Sequence, residues 1–429
     1  MAAQDLPPRA RAGSIPVTGA GGQRDQPSPA SAITGVAGAH DRGSLVAAGT
    51  VWLAGILITY ILPILFEAMH DARGLGEDEL GALGAAFMIG IGITQGTGPF
   101  WARRASPRWV SAGSLVAVAG GLFGVAFLPG GTNLFWIWLL VGLAAGCGAT
   151  PAFMLLGDTP NPVRTYGVAL FGTALVGAAL SFALPVFVTP GFGGIGVMAA
   201  VAALYLLVVP CALALPASAL RTRSPVDGQH VGQARALPGA AFLAPILAGV
   251  AGATFTGVVF GMIYYFVGPI AAACGVGPNV VGPLIAASLI AALVGSLLPS
   301  FVARWLPPQR MITASVVVTL ICYPLMMRGS PIAFCAAFVV QGVAANAGYT
   351  CFLDVVRRVD FTDRIYIGYP AAQSLGIAGG TAFAGWMLTR FPVAALFGCA
   401  ALLLIAAWAG MIAAKRLSIR FNAAASTLR

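Results

Sequence analysis

Residues 219–238 read ALRTRSPVDGQHVGQARALP, a polar stretch carrying Arg221, Arg223 and Arg235 between long apolar runs. On both sides of it the sequence turns apolar and stays so. Upstream, runs rich in Leu, Val, Ile, Ala and Gly fall at 44–68, 79–100, 109–128, 134–157, 166–188 and 194–217. Downstream they fall at 239–270, 279–303, 310–327, 331–353, 366–388 and 393–414. Most are about 18 to 25 residues long, the length a helix needs to cross a hydrocarbon core about 30 Å thick. The polar stretch thus divides about twelve expected transmembrane helices into six and six.

Composition points the same way. Of 429 residues, 59% are hydrophobic and only 8% are charged, against roughly 25% charged in a soluble domain. A chain so poor in charge must face lipid over most of its surface. The 56 glycines suit helices that approach closely, because lipid supplies little hydrophobic force to press them together. No spanning strand pattern appears. The expected class is an all-α integral membrane protein with this plan: a disordered cytoplasmic tail over 1–43, a six-helix bundle over 44–218, a cytoplasmic linker over 219–238, a second six-helix bundle over 239–416 and a tail over 417–429. The first 43 residues are rich in Pro, Gly, Ser, Ala and Gln and cannot bury a core. The first apolar run starts too far in for a cleaved signal peptide and is long enough to span.

The basic residues set an orientation. With the N-terminus inside, the tails hold Arg9, Arg11, Arg24, Arg42, Lys415, Arg416, Arg420 and Arg429. Inner loops take Arg103, Arg104, Arg108, Arg164, the linker arginines, Arg304, Arg310, Arg357, Arg358 and Arg364. Of the 23 Lys and Arg residues, only Arg73, Arg328 and Arg390 fall outside. This strong positive-inside asymmetry places both termini in the cytoplasm and accounts for the net charge of +10 without nucleic acid. The acidic cluster Glu77-Asp78-Glu79 falls in an outer loop.

The two halves echo each other. Phe100-Trp101-Ala102-Arg103-Arg104 at the second-to-third junction returns as Phe301-Val302-Ala303-Arg304-Trp305 at the eighth-to-ninth. Thr150, Arg164 and Tyr166 return as Thr350, Arg364 and Tyr366. All fall at equivalent points of a six-plus-six plan, which reads as internal duplication, a recurrent transporter architecture.

With these features the sequence resembles the major facilitator superfamily over about residues 44–416. The resemblance is mainly architectural. Of the family's loop pattern Gly-x-Leu-Ala-Asp-Arg-x-Gly-Arg-Arg, Gly98 and Arg103 match, whereas Ala102 stands for the Asp and Ala105 for the second Gly. The fifth-helix antiporter pattern is only echoed by Gly177, Ser181 and Pro185. The resemblance implies a central cavity lined by the first, fourth, seventh and tenth helices, and a gating role for the inner loops, whose candidates are Arg103, Asp158, Arg304 and Arg358.

No charge lies near a helix centre, where it would cost roughly 2.5–3.5 kcal/mol. The nearest carboxylates are Glu67, Asp158 and Asp354, all at helix ends; Glu67 and Asp354 are the candidates for proton coupling. Glu67 ends a stripe of Trp52, Ile56, Tyr60 and Pro63 at helical spacing, with His70 one turn on; otherwise it is a solvated helix end. The tenth helix carries Asn346, Thr350 and Asp354 along one face, with Tyr349 nearby and Gln341 further round. The fourth echoes this with Thr150, Met154 and Asp158. The seventh contributes Thr256, Phe260 and Tyr264, with a kink expected between Gly261 and Pro269. The eleventh presents Tyr366, Tyr369 and Gln373, and the second Gln95. Substrate-binding candidates are thus Tyr60, Gln95, Thr150, Thr256, Tyr264, Gln341, Asn346, Tyr349 and Gln373. The alternatives are helix-to-helix hydrogen bonding and, for Tyr264, an interfacial belt.

The seven cysteines and three histidines form no metal-ligand or catalytic pattern, and no phosphate-binding loop is present. No cofactor, metal or enzymatic activity is expected. The function expected is a secondary transporter for a small organic solute, neutral, weakly charged or aromatic, in the bacterial inner membrane, with protons as a second partner in a coupled version and the chain acting as a monomer. A facilitated uniporter, or a membrane enzyme or sensor with a transporter-like body, stays open.

Overall fold

The computed structural model describes residues 42–102, 104–128, 133–157, 159, 162–216, 243–302, 305–360 and 364–427. The tail before Arg42, the linker 219–238 and three gating candidates, Arg103, Asp158 and Arg304, lie outside the described residues. The rest is helical: α1 Arg42–Arg73, α2 Glu77–Trp101, α3 Pro107–Phe127, α4 Leu134–Gly157, α5 Pro162–Ala183, α6 Thr189–Leu213, α7 Leu243–Thr256, α8 Pro278–Val302, α9 Pro308–Met326, α10 Pro331–Val359, α11 Arg364–Arg390 and α12 Val393–Thr427. Among the described residues, ten segments are long and apolar enough to cross a membrane. One of them, Arg164–Leu213, has 50 residues, about 75 Å of helix and so two crossings. Gly193 separates them, with φ 60° and ψ −164°, a conformation only glycine adopts freely. The more polar α11 is the remaining span. The chain is a multi-pass membrane protein, with twelve membrane-crossing segments among the described residues.

Helix ends differ from expectation by several residues. Helix α1 begins two residues early and runs to Arg73, α10 runs to Val359, and α12 continues past the expected end at 414 to Thr427. Hydropathy marks where the chain leaves lipid, but backbone hydrogen bonding continues into water while the local sequence favours helix. Prolines open several helices, among them Pro107, Pro308 and Pro331, where the missing N–H has no intrahelical partner to lose.

The seventh span is not one helix. After α7 the chain widens into a π-helix over Gly257–Tyr264, breaks at Phe266 and resumes as a short helix Val267–Ala273. The Tyr265 N–H bonds the Phe260 carbonyl, five residues back. The expected kink is therefore present, and it begins at Gly257, before Gly261. Gly257 and Gly261 lie against the carbonyls of Gly376 and Ile377 on α11, with no room for a Cβ. A second π-turn, Leu184–Val188, extends α5 around Pro185, whose ring displaces the normal α-helical bond.

Packing repeats between the two sets of six. Helix α1 packs on α4, α5 and α6, as α7 packs on α10, α11 and α12. Helix α2 packs on α4 as α8 does on α10, and α3 on α4 and α6 as α9 does on α10 and α12. The sets meet through α2 on α11 and, equivalently, α8 on α5. This pattern gives physical form to the sequence echoes.

Candidate functional site

The two sets close on each other at the end carrying the α1–α2, α7–α8 and α11–α12 turns. Phe66 of α1 packs on Phe266 and Tyr265, with ring centroids 5.6 and 6.4 Å away. Gly81 of α2 lies against the backbone of Thr381 and Gly385 on α11, and Gly282 of α8 against Ser181 and Pro185. Towards the opposite end, Phe153 of α4 stacks on Tyr166 at 4.6 Å and contacts Trp52, all within the first set, and stays 42% exposed. Among the described residues, α4 and α10, which occupy equivalent places, build no packing interface with each other.

Between these ends, polar side chains join the sets. The Tyr264 hydroxyl donates to the Tyr60 carbonyl across the α7–α1 seam at 2.6 Å. The Ser374 hydroxyl of α11 donates to the Gln95 Oε1 of α2 at 3.0 Å. Within the second set, the Tyr349 hydroxyl donates to the Gln373 Oε1 at 3.2 Å, and Tyr349 lies near enough to Tyr60 for the phenols to interact electrostatically. Five substrate-binding candidates, each from a different span, are thus gathered into one belt: Tyr60, Gln95, Tyr264, Tyr349 and Gln373. Amide and hydroxyl groups facing lipid would be unpaired; here they face other helices.

Beside the belt, a small cavity of about 30 Å³ opens between the π-helix, α8 and α10. Its lining includes Phe260, Tyr264, Ser288, Phe338, Gln341 and Asn346. Tyr264 and Phe338 present nearly parallel rings, 7° apart in plane. Asn346 donates its amide to the Gly342 carbonyl of its own helix at 3.0 Å. Gln341 is 3% exposed, and its Oε1 has no hydrogen-bond partner.

The remaining candidates lie elsewhere. Thr150 is buried against Gly98 and donates to the Gly146 carbonyl at 2.7 Å. Thr256 is fully buried and bonds back to Gly252 and Ala253. Both satisfy themselves on their own helices, which threonine does readily in membrane helices. Glu67 is half-buried near the closed end, within electrostatic reach of Asp71 and His70. Asp354 accepts from Arg358 at 2.9 Å one turn on, an exposed pair at the end of α10, of a type worth about 0.3–0.5 kcal/mol. Ser288, Phe338 and Ser374 were not singled out from sequence. Ser288 and Ser374 pass as small packing residues there, and Phe338 as one apolar residue among many.

No protein-family model and no curated protein matches the sequence. The structure, however, superposes on solved transporters over nearly their whole length. The nucleoside transporter NupG matches with a TM-score of 0.65 at 14% identity, covering 89% of this chain and 99% of that one. A proton-dependent oligopeptide transporter matches at 0.64 and 10% identity, covering 88% and 99%. A bacterial homolog of the human lysosomal transporter Spinster, inward-facing and occupied, matches at 0.58 and 15% identity, covering 92% and 98%. The chain has the fold of these transporters.

Proposed function

We propose that this protein is a secondary transporter that carries a small, neutral or weakly charged organic solute by alternating access. The observation that carries the reading is the belt of Tyr60, Gln95, Tyr264, Tyr349 and Gln373 where the two sets of helices meet, with α4 and α10 building no packing interface across it among the described residues. Groups that hydrogen-bond across a seam at mid-bundle can exchange those bonds for a solute, and the seam can close on either side of it. The fold neighbours carry nucleosides and oligopeptides, and small organic solutes of this kind fit an aromatic and amide lining. No Lys or Arg lines the belt or the cavity among the described residues, which disfavours phosphate and polycarboxylate cargo. The test is uptake of a panel of labelled solutes by purified protein in sealed vesicles. Uptake above protein-free vesicles is expected for at least one neutral organic solute; uptake of none removes the reading.

The excess of basic residues in the tails and inner loops supports cytoplasmic termini; with that orientation the closed end faces outward, an inward-facing arrangement like that of the Spinster homolog. Reporter fusions at Gln233 and at the C-terminus are expected to report the cytoplasmic side. A periplasmic report from either contradicts this orientation.

Coupling to protons rests on Glu67 or Asp354. One charge crossing 100 mV supplies about 2.3 kcal/mol, enough for roughly a 40-fold solute gradient at about 1.4 kcal/mol per tenfold. Glu67 is the stronger candidate, because Asp354 already holds Arg358. Collapsing the proton gradient with an ionophore is expected to abolish accumulation, and Glu67→Gln to lose accumulation while keeping exchange. Accumulation that survives the ionophore excludes proton coupling. Equilibration without accumulation, even with a gradient, favours the uniporter.

A further inference from the structure

Gln341 is the most informative polar group in the second set. It sits on α10 inside the bundle, 3% exposed, facing the cavity beside the π-helix. Its Oε1 is buried and unpartnered, whereas buried carbonyl oxygens are nearly always paired. The pocket is small but polar enough to be wet: about 30 Å³ is room for roughly two waters. Its walls are flat and apolar where Tyr264 and Phe338 lie parallel with centroids 6.4 Å apart, and Phe260 stands edge-on to Tyr264. Ser288 and Asn346 add two further polar side chains to the lining. No charged side chain lines it, so a cationic group entering it would meet no carboxylate.

We infer that the transported solute is recognised in the second set of helices by donating a hydrogen bond, from a neutral N–H or O–H on or beside a planar group, to the Oε1 of Gln341. This rests on the transporter reading above and narrows its substrate class. The chemistry follows from what the pocket lacks. An acceptor with no partner rewards a donor and penalises a methylated analogue, which both removes the donor and adds bulk. Tyr264 forms one wall of the pocket and also spans the seam to Tyr60, so a donor group entering the pocket sits beside a contact that must break when the closed end opens. Occupancy and opening are thereby linked through a single side chain.

The experiment is competition against the solute identified by vesicle uptake, using probe pairs that differ only in methylation: benzamide with N,N-dimethylbenzamide, uracil with 1,3-dimethyluracil, and catechol with its dimethyl ether. In the wild type the donor of a competing pair is expected to inhibit about 10- to 100-fold better than its methylated partner. Gln341→Met, close in shape but without the acceptor, is expected to bring the two within about threefold. Gln341→Glu, which keeps an acceptor, is expected to retain the preference and shows that position 341 tolerates change. The inference is overturned by equal inhibition in the wild type, by failure of every donor probe to compete, or by an unchanged ratio in Gln341→Met. A carried solute with no N–H or O–H overturns it and leaves the transporter reading standing. Uptake of no solute at all removes both.

Discussion

Gly385→Leu is expected to cut transport at least about tenfold while leaving the protein folded and inserted. Gly385 lies on α11 at the closed end, and a Cβ there would collide with the Glu77 carbonyl and the Gly81 backbone of α2. A leucine cannot fit between the two helices while that end is shut. Overpacking of this kind typically costs about 1–3 kcal/mol, and at about 1.4 kcal/mol per tenfold it shifts a two-state equilibrium roughly 5- to 150-fold away from the closed form. The contact joins the two sets of helices, and alternating access requires that it separate in every cycle. Its loss therefore removes one conformational state and spares the fold. Uptake in vesicles and thermal unfolding of the purified variant check this. Normal transport, or a loss of folded protein that accounts for all of the defect, contradicts it.

Gly380→Leu, five residues earlier on the same helix, is expected to behave oppositely. A Cβ at Gly380 would overlap the Gly257 carbonyl of the π-helix, and the neighbouring Gly376 meets the Ala253 carbonyl in the same way. These contacts lie within the second set, which the proposed alternating-access motion moves as one body. The backbones touch, so no flexible side chain can move aside. Destabilisation at or beyond the upper part of the 1–3 kcal/mol range is expected, read as a sharp loss of folded protein in detergent and of inserted protein in the membrane. A well-folded Gly380→Leu with selective transport loss would place the hinge inside this half and break the distinction drawn between the two glycines.

Much of the fold can be read from the sequence because one term dominates. Lipid demands long apolar helices, water demands charge at their ends, and the stretch 219–238 divides the set. The belt is legible in part. Tyr60, Gln95, Tyr264, Tyr349 and Gln373 stand out as polar or amphipathic residues in apolar runs, and all five sit at helix contacts. Thr150 and Thr256 stand out by the same rule yet bond their own backbones, because helical period gives a face and not what covers it. The π-helix over Gly257–Tyr264 depends on how closely α11 approaches, a property of two segments more than a hundred residues apart. Its start at Gly257 thus lies beyond local pattern, although the kink itself is signalled by Gly261, Gly268 and Pro269. Ser374 becomes meaningful only as the partner of Gln95, and Ser288 and Phe338 only as walls around Gln341.

Alternating access is tested most directly by counterflow. Purified protein is reconstituted into sealed vesicles loaded with a high concentration of the unlabelled solute found by uptake screening. These are diluted into a trace of the labelled solute with no ATP and no ion gradient. A single site exposed to one side at a time exchanges outgoing unlabelled for incoming labelled solute. Label should therefore rise inside the vesicles transiently above its outside concentration and then decay, and Gly385→Leu should abolish that overshoot. A wild-type protein that gives no overshoot beyond protein-free vesicles, while remaining folded and binding the solute, contradicts transport by alternating access.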